Sequence, residues 1–327
     1  MKAKSALRAI GGDLLARLWP EERIALLFFA GVAALFAVRH YPFTLWALVA
    51  SYFQFLLAIA AIVLPPWIVA SLLRKLGGRL APGSFGRDLG IFLRALGPLL
   101  VVLVPYTNLK CRLLLFHPQL FDRILDHLDD VLHMGGGDLV AWVTHLHTPS
   151  RTAMLQVVYY YAWAALALPL AVAMARSGVA LVRRTLGALG LCYIVGGFVY
   201  LALPSLGPAL VERWRYAALS DSHIFALQQT MLDALRYTVQ NPHAPAAPFF
   251  GLAAFPSLHL ATSALGLFVA WKSWRPLLFL LVPWNLAIAA SAVYFGWHYV
   301  VDFYPALALA ALGWWAAGLL TRVSSTS

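Results

Sequence analysis

The chain contains few charged residues. Only 11% of its 327 residues are Asp, Glu, Lys or Arg, whereas a soluble domain carries about 25%. Its mean hydropathy is +0.77. This composition excludes a disordered chain and an ordinary water-soluble enzyme, because both need more polar surface. The sequence therefore predicts an all-α, polytopic membrane protein.

Cysteine is also scarce. Cys111 and Cys192 are the only two, which is too few for a disulfide framework or a zinc site built from cysteine pairs. No cofactor is expected. The net charge of +11 does not indicate a nucleic-acid partner, because the basic residues are not clustered on a soluble face.

Long apolar runs make up much of the sequence. A bilayer-spanning helix needs about 17 to 25 residues, and the sequence predicts about eight such helices. Their ranges are 24–38, 43–73, 89–106, 152–175, 185–203, 258–271, 276–295 and 299–320. We divide the chain into N-terminal transmembrane helices with an external interfacial segment, 1–151, and a C-terminal core, 152–327.

The distribution of Lys and Arg predicts the orientation of these helices. Most of them fall on one side of the predicted spans, so both termini are expected in the cytoplasm. All ten histidines fall on the other side, and chemistry is expected there. The first apolar run is read as a retained helix, because no small-x-small cleavage site follows it.

Two external segments have an apolar stripe at helical spacing. Residues 120–132 predict an interfacial helix. An alternative for this segment is a metal site, because Asp126, His127, Asp130 and His133 carry oxygen and nitrogen ligands, although their spacing matches no metal motif. Residues 224–239 predict a second helix, acting as a lid or a cover.

The motif Phe-Pro-Ser-Leu-His, residues 255–259, stands where an external loop enters a predicted helix. Proline suits the first position of a helix, because its missing N–H is not needed there. The first turn then offers free N–H groups and the positive end of the helix dipole to a phosphate. Ser257 adds a hydroxyl.

A second histidine follows about forty residues later. His298 and Asp302 are four residues apart, so on a helix they share one face, and the carboxylate can bond one ring nitrogen. The other nitrogen keeps its lone pair, as a nucleophile or general base requires. The alternative is that both histidines are interfacial residues, as Trp271, Trp274 and Trp297 are expected to be.

These motifs resemble those of the type 2 phosphatidic acid phosphatase superfamily, membrane enzymes with a six-helix core. The family signature Pro-Ser-x-His is matched by Pro256, Ser257 and His259. The signature Ser-Arg-x5-His-x3-Asp is matched at its serine, histidine and aspartate, whereas Ala292 stands at the arginine position. The family's Lys-x6-Arg-Pro signature is absent.

These departures resemble the inositol phosphorylceramide synthase branch and its bacterial relatives. That branch shares the Phe-Pro-Ser-Leu-His motif and a Tyr-x3-His-x3-Asp ending without arginine. It also shares a Tyr-x3-Pro-x2-Gly-Pro element, which begins here at Tyr200.

The resemblance implies roles for these residues. His298 would attack phosphorus and become a phosphohistidine oriented by Asp302, while His259 serves as acid and then base. Ser257 would hold phosphoryl oxygens. Another cation must replace the missing arginine, with Lys110 and Arg213 the preferred candidates ahead of Arg215 and Arg236. The alternative for each cation is an interfacial anchor.

Three functions remain open from sequence. The first is a phosphotransferase that moves a phospho-headgroup, such as phosphoinositol, from a phospholipid to a lipid alcohol. The second is a lipid phosphate or polyprenyl diphosphate phosphatase using the same histidines, and the third is a transporter or scaffold. The expected location is a bacterial inner membrane with a periplasmic active site.

Overall fold

The computed structural model describes residues 17–76, 84–245 and 251–323. Within these ranges the regular structure is helical and contains no strand, so the predicted all-α class is confirmed. Helices are the expected solution for an apolar chain in lipid, because each one satisfies its own backbone hydrogen bonds.

The described residues form twelve α-helices of six or more residues, nine of which follow the eight predicted apolar runs. The twelve helices are α1 Pro20–Val38, α2 Trp46–Leu76, α3 Ser84–Cys111, α4 Asp122–Met134, α5 Leu139–Thr144, α6 Pro149–Tyr160, α7 Ala164–Arg176, α8 Val179–Ala202, α9 His223–Gln240, α10 Leu258–Ser273, α11 Leu278–Tyr294 and α12 Phe303–Val323. Shorter helical turns lie at Leu113–Phe116, Pro208–Val211, Arg213–Leu219, Arg275–Leu277 and Val300–Asp302.

The described residues include five segments that are long and apolar enough to cross a membrane: Trp46–Leu73, Phe85–Cys111, Val179–Ala202, Arg275–Tyr294 and Val300–Arg322. A sixth is formed if α6 and α7, bent by 42°, count as one span. The other two predicted spans are also helices, but α1 has three charged residues in its first turn and α10 has only 16 residues. The chain is therefore multi-pass, and eight spans remain a prediction.

The helices pack around α8. It contacts α3 on one side and α12 on another, while α10 contacts α7 and α12, and α2 contacts α7. One continuous apolar core includes Phe36 of α1, Leu99 of α3 and Leu265 of α10. The predicted boundary between residues 151 and 152 falls in the first turn of α6. The N-terminal helices thus support the proposed core directly.

Two ion pairs lie at one end of this bundle. Arg183 of α8 binds Glu21 of α1 at 2.5 Å, and Arg94 of α3 binds Glu22 at 2.6 Å. Arg94 falls within the predicted range 89–106, where an unpaired charge is costly, and Glu22 supplies its partner. The starts of α1 and α8 therefore meet at this end, which is the predicted cytoplasmic side.

Helix α4 presents its apolar side outward. Ile124, Leu128 and Leu132 are exposed, whereas Asp122 and Asp129 are buried. A helix on a water-soluble protein has the opposite arrangement. An outward apolar face suits the bilayer interface, in agreement with the predicted interfacial helix.

Helix α9 forms the second predicted amphipathic segment. Ile224, Leu232 and Leu235 are buried in a cluster with Tyr216. Gln228 Nε2 also donates to the carbonyl of Phe295 at 2.7 Å. In this structure α9 is a packed cover over the end of α11.

Candidate active site

His298 and Asp302 form the contact that their spacing predicts. The distance from His298 Nδ1 to Asp302 Oδ2 is 3.1 Å. The backbone differs from the prediction, because the pair does not lie on an α-helix: Tyr299 is extended and Val300–Asp302 is a 3₁₀ turn. The same carboxylate oxygen accepts the N–H of Tyr299 at 3.1 Å, which closes the turn.

His259 faces this pair from the start of α10. The ring centroids of His259 and His298 are 6.1 Å apart, with an interplanar angle of 68°. The N–H of Ser257 donates to the backbone carbonyl of Asp302 at 3.3 Å, so the two motifs are joined directly. His298 is 4% exposed, whereas the His259 ring is exposed. A group between the rings can meet one histidine from each side.

Ser257, not Pro256, sets the start of α10. Ser257 is the N-cap, and its Oγ accepts the N–H of Leu260 at 3.3 Å. The prediction that Pro256 occupies the first helical position is therefore wrong: it lies before the cap. The N–H of Leu258 donates to the Tyr200 hydroxyl. The N–H of His259 also lies in the first turn, where a helix has no acceptors of its own, so anion binding at this turn remains a prediction.

Lys110 lies close to the histidines. It is in the last turn of α3, and its Nζ is 5.9 Å from the ring centroid of Tyr200. The Tyr200 hydroxyl donates to the carbonyl of Pro256 at 3.1 Å, which ties this region to the first motif. Ala292, at the signature arginine position, is buried. Of the predicted cations, Lys110 is the one whose charge acts on both His259 and His298.

The pKa of His298 reflects this environment. Burial lowers it to about 3 from an ordinary value of 6.5, and the positive charge of Lys110 acts in the same direction, while a hydrogen bond with the backbone of Ala254 opposes both. The imidazole is consequently neutral at physiological pH. A neutral ring with Nδ1 toward Asp302 has a lone pair at Nε2 for attack.

The other predicted cations have different contacts. Arg213 Nη2 donates to the carbonyl of Phe225 at 2.9 Å, and its guanidinium carbon lies 3.6 Å from that ring centroid. Arg215 pairs with Asp138 and with Glu212, and Arg236 pairs with Asp233. These contacts direct Arg213 toward α9, and none joins it to a histidine.

The loop between α8 and Pro208–Val211 connects the two motifs. Ser205 accepts the N–H of Ala254 through its carbonyl at 2.9 Å, and the N–H of Ala209 donates to the carbonyl of Gly296 at 3.0 Å. Gly207 has φ +96°, and a Cβ there would lie 2.4 Å from the carbonyl oxygen of Trp297. The Tyr-x3-Pro-x2-Gly-Pro element thus packs directly against the His298 turn.

Two buried acids of α4 hold these loops. Asp122 accepts the N–H groups of Leu206 at 3.0 Å and Gly207 at 2.8 Å. Asp129 accepts those of Val300 and Val301, both at 2.7 Å. Burial raises the pKa of both carboxyl groups, and the N–H donors oppose that rise. Sequence reasoning missed both acids, whose only visible signal is their separation of seven residues, which places them on one helical face.

Aromatic side chains complete the wall beside His259. Tyr159 lies 5.2 Å from the His259 ring and is stacked on Trp297, with centroids 5.8 Å apart and planes at 4°. Trp297 is 8% exposed, so the expectation of an interfacial residue is wrong there. It is buried against Tyr159 in the cluster that also contains Phe295. Tyr160 and Tyr161 are exposed, which leaves Tyr159 alone of the three consecutive tyrosines beside the site.

The residues of the alternative metal site on α4 are not grouped as metal ligands. Within the described ranges, no three His, Cys, Asp or Glu side chains are placed to hold a metal ion. Asp130 Oδ1 instead accepts the N–H of Leu139 at 2.8 Å, and His133 Nε2 lies 2.8 Å from the Tyr304 hydroxyl. These side chains have structural partners.

Comparison with known proteins gives one match. No curated protein and no solved structure matches the chain, but a family model described as the PAP2 superfamily matches residues 124–316. This match includes both histidine motifs, the connecting loop and most of α4. Because it covers more than half of the sequence, the chain belongs to the PAP2 superfamily.

Proposed function

We propose that this protein is an integral membrane phosphotransferase, which moves a phospho-headgroup from a phospholipid to a lipid alcohol through a phosphohistidine. Membership of the superfamily supports phosphatase or phosphotransferase chemistry on a lipid phosphate. The proposal is carried by one observation: His298, bonded to Asp302, faces His259 across 6.1 Å.

In the first half-reaction, Nε2 of His298 attacks phosphorus. The N–P bond forms as the bond from phosphorus to the departing diacylglycerol oxygen breaks. His259 gives its proton to that oxygen, and the negative phosphate beside it favours the protonated form that this role requires. Asp302 stabilises the positive charge that develops on His298.

In the second half-reaction, the hydroxyl of a lipid alcohol attacks the same phosphorus. His259 takes the hydroxyl proton, the new O–P bond forms and the N–P bond breaks. His298 returns to its neutral state. With a phosphomonoester as the donor and water in place of the alcohol, the same residues would act as a phosphatase.

Dispersed negative charge on the transferring phosphoryl group needs positive partners. The Ser257 hydroxyl, the first-turn N–H groups of α10 and the Lys110 ammonium would supply them. Arg213 is a less favoured candidate, since its guanidinium already contacts Phe225.

Low exposure of His298 limits the contact of a phosphohistidine at this position with bulk water. His298 is 4% exposed, and its ring lies 6.4 Å from that of Phe303. A site that excludes water limits hydrolysis of a reactive intermediate. The resemblance of the motifs to the inositol phosphorylceramide synthase branch further favours a phosphoinositol donor and a ceramide or diacylglycerol acceptor.

We place the protein in a bacterial inner membrane with the site on the periplasmic side. This orientation rests on the distribution of Lys and Arg. The proposed partners are the phospholipid donor and the lipid alcohol acceptor.

Purified protein incubated with headgroup-labelled phosphatidylinositol tests the function, with and without an acceptor: ceramide, or a diacylglycerol whose chains differ in length from those of the donor, so that its product is distinguishable. A labelled lipid that requires the acceptor, and that is lost in His259→Ala and His298→Ala, would establish transfer. Acceptor-independent release of inorganic phosphate from phosphatidic acid or a polyprenyl diphosphate would identify a phosphatase instead.

A further inference from the structure

An apolar groove opens beside the proposed catalytic turn. Its volume is about 280 Å³, and it lies between α4 and the start of α12. Ile124 and Leu128 form the α4 wall, Tyr304 and Pro305 form the α12 wall, and Val301 and Phe255 lie at the inner end. Only apolar atoms form its exposed surface.

The inner end of the groove is formed by sequence neighbours of the two histidine motifs. Val301 is the residue before Asp302, and Phe255 immediately precedes the Pro-Ser-x-His motif. Adjacent Cα atoms are about 3.8 Å apart. A molecule whose phosphate lies between His259 and His298 therefore has this groove within reach of its remaining atoms.

The outer end opens where lipid is expected. Ile124, Leu128 and Tyr304 are exposed, and Tyr304 lies in the first turns of the span Val300–Arg322. Val301, at the inner end, is buried. The groove thus runs from the surface of a membrane-spanning segment to the residue next to Asp302.

The apolar surface of the groove favours one part of a lipid over the other. A phosphate or sugar headgroup would lose its hydrogen bonds to water there without replacement, whereas a hydrocarbon chain gains from leaving water or from close packing. The volume is slightly below the range of about 300–1,000 Å³ of typical small-molecule sites, which suits part of a lipid and not a whole one.

We propose that this groove holds a hydrocarbon chain of the lipid whose phosphate reacts at His298. The inference rests on the proposed function for the identity of the reacting group. In this arrangement α4 has two roles: its buried acids hold the catalytic turn, and its exposed apolar side chains bind the substrate chain.

Filling the groove tests the proposal. Leu128→Trp adds bulk at the exposed wall, and Leu132→Trp is its matched control, one turn further along the exposed face and outside the groove. Turnover is measured with phosphatidylinositol and phosphatidic acid, each with dioleoyl and with dihexanoyl chains.

We expect Leu128→Trp to lower kcat/KM for the dioleoyl lipid about tenfold or more, with little effect on the dihexanoyl lipid. Leu132→Trp should change neither. An equal effect on both chain lengths, or no effect on either, would overturn the proposal. Ile124→Trp provides a second variant on the same wall if Leu128→Trp does not fold.

A binding experiment separates the groove from the proposed function. Phosphatidic acid with a diazirine in its acyl chain is photolysed with His298→Ala protein, and the labelled peptides are mapped. Label on α4 or on the first turns of α12, lost in the added Leu128→Trp change, supports the groove even if the wild-type protein turns over no lipid. Label confined to other helices would reject it, whatever the activity.

Discussion

The carboxylate of Asp129 holds Val300 by its backbone, with Oδ2 2.7 Å from the N–H. Its other oxygen holds Val301 at the same distance. These two amides lie between His298 and Asp302, so an acid on a separate helix fixes the turn that aligns them. Asp129 is therefore proposed as a positioning residue, which acts without contacting the substrate.

Replacing Asp129 with Asn should lower kcat about tenfold to a hundredfold, because an amide offers only one acceptor to the two N–H groups and a small misplacement of reacting groups is costly. KM should change little, since the lipid-binding surfaces remain. Asp126→Asn is the control: it removes the same charge from the same helix. If Asp129→Asn and Asp126→Asn lowered kcat and the unfolding temperature equally, Asp129 would have only a general structural role.

The two histidines should differ in their response to the leaving group. His298→Ala should abolish turnover of every donor, because no covalent intermediate forms. His259→Ala should lower turnover of a phospholipid by about 10² to 10⁴, but much less for a p-nitrophenyl phosphodiester, whose leaving group needs no proton. Rates with both donors check the assignment, and a reversed pattern would exchange the roles of the two histidines.

The pH dependence of kcat/KM should reflect the burial of His298. Because the pKa of His298 is lowered to about 3, its neutral, reactive form persists as pH falls through 6.5. The acid limb of kcat/KM should therefore lie below 6.5. Measurement between pH 4 and 8 tests this, and a limb at the ordinary imidazole value would contradict it.

Lys110→Met should change both kcat and the pH of the acid limb of kcat/KM. Loss of a positive group near the phosphoryl oxygens should lower kcat about 10² to 10³. The limb should also move upward, because the charge that lowers the pKa of His298 is gone. Arg213→Met is the matched control, with a contact to Phe225 instead, and it should leave the limb in place. A shift in the control alone would favour Arg213 as the cation near the histidines.

Gly207→Ala should disrupt the packing of the connecting loop against the His298 turn. Gly178 provides a control with a similar backbone: its φ is +84°, against +96° for Gly207, but a Cβ there meets nothing within 4 Å. Gly207→Ala and Gly178→Ala both place a side chain at a positive φ, so both carry backbone strain. Gly207→Ala adds a clash with Trp297, which should lower the free energy of unfolding by about 1–3 kcal/mol more. Unfolding temperatures and kcat of the two variants measure the difference, and equal losses would argue against a tight contact.

The sequence predicts well those features that depend on neighbours along the chain. Apolar runs gave the helices, and the four-residue spacing gave the contact between His298 and Asp302. That contact forms on a 3₁₀ turn and not on an α-helix, because Tyr299 is extended. The spacing therefore identified the pair even though the local backbone differed.

Features that depend on distant partners could not be read in the same way. Asp129 bonds residues about 170 positions later in the chain, and its sequence neighbours suggested only an amphipathic helix. From its residue type alone, Trp297 was expected at the membrane interface, where tryptophan is common. Its burial follows from stacking on Tyr159, which no local pattern records.

Several contacts that join the segments of the site run from main chain to main chain. Ser257 bonds Asp302, Ala254 bonds Ser205, and Ala209 bonds Gly296, each through backbone N–H and C=O groups. Such links survive most side-chain substitutions. Substitutions in the surrounding walls should therefore leave the spacing of the two histidines unchanged.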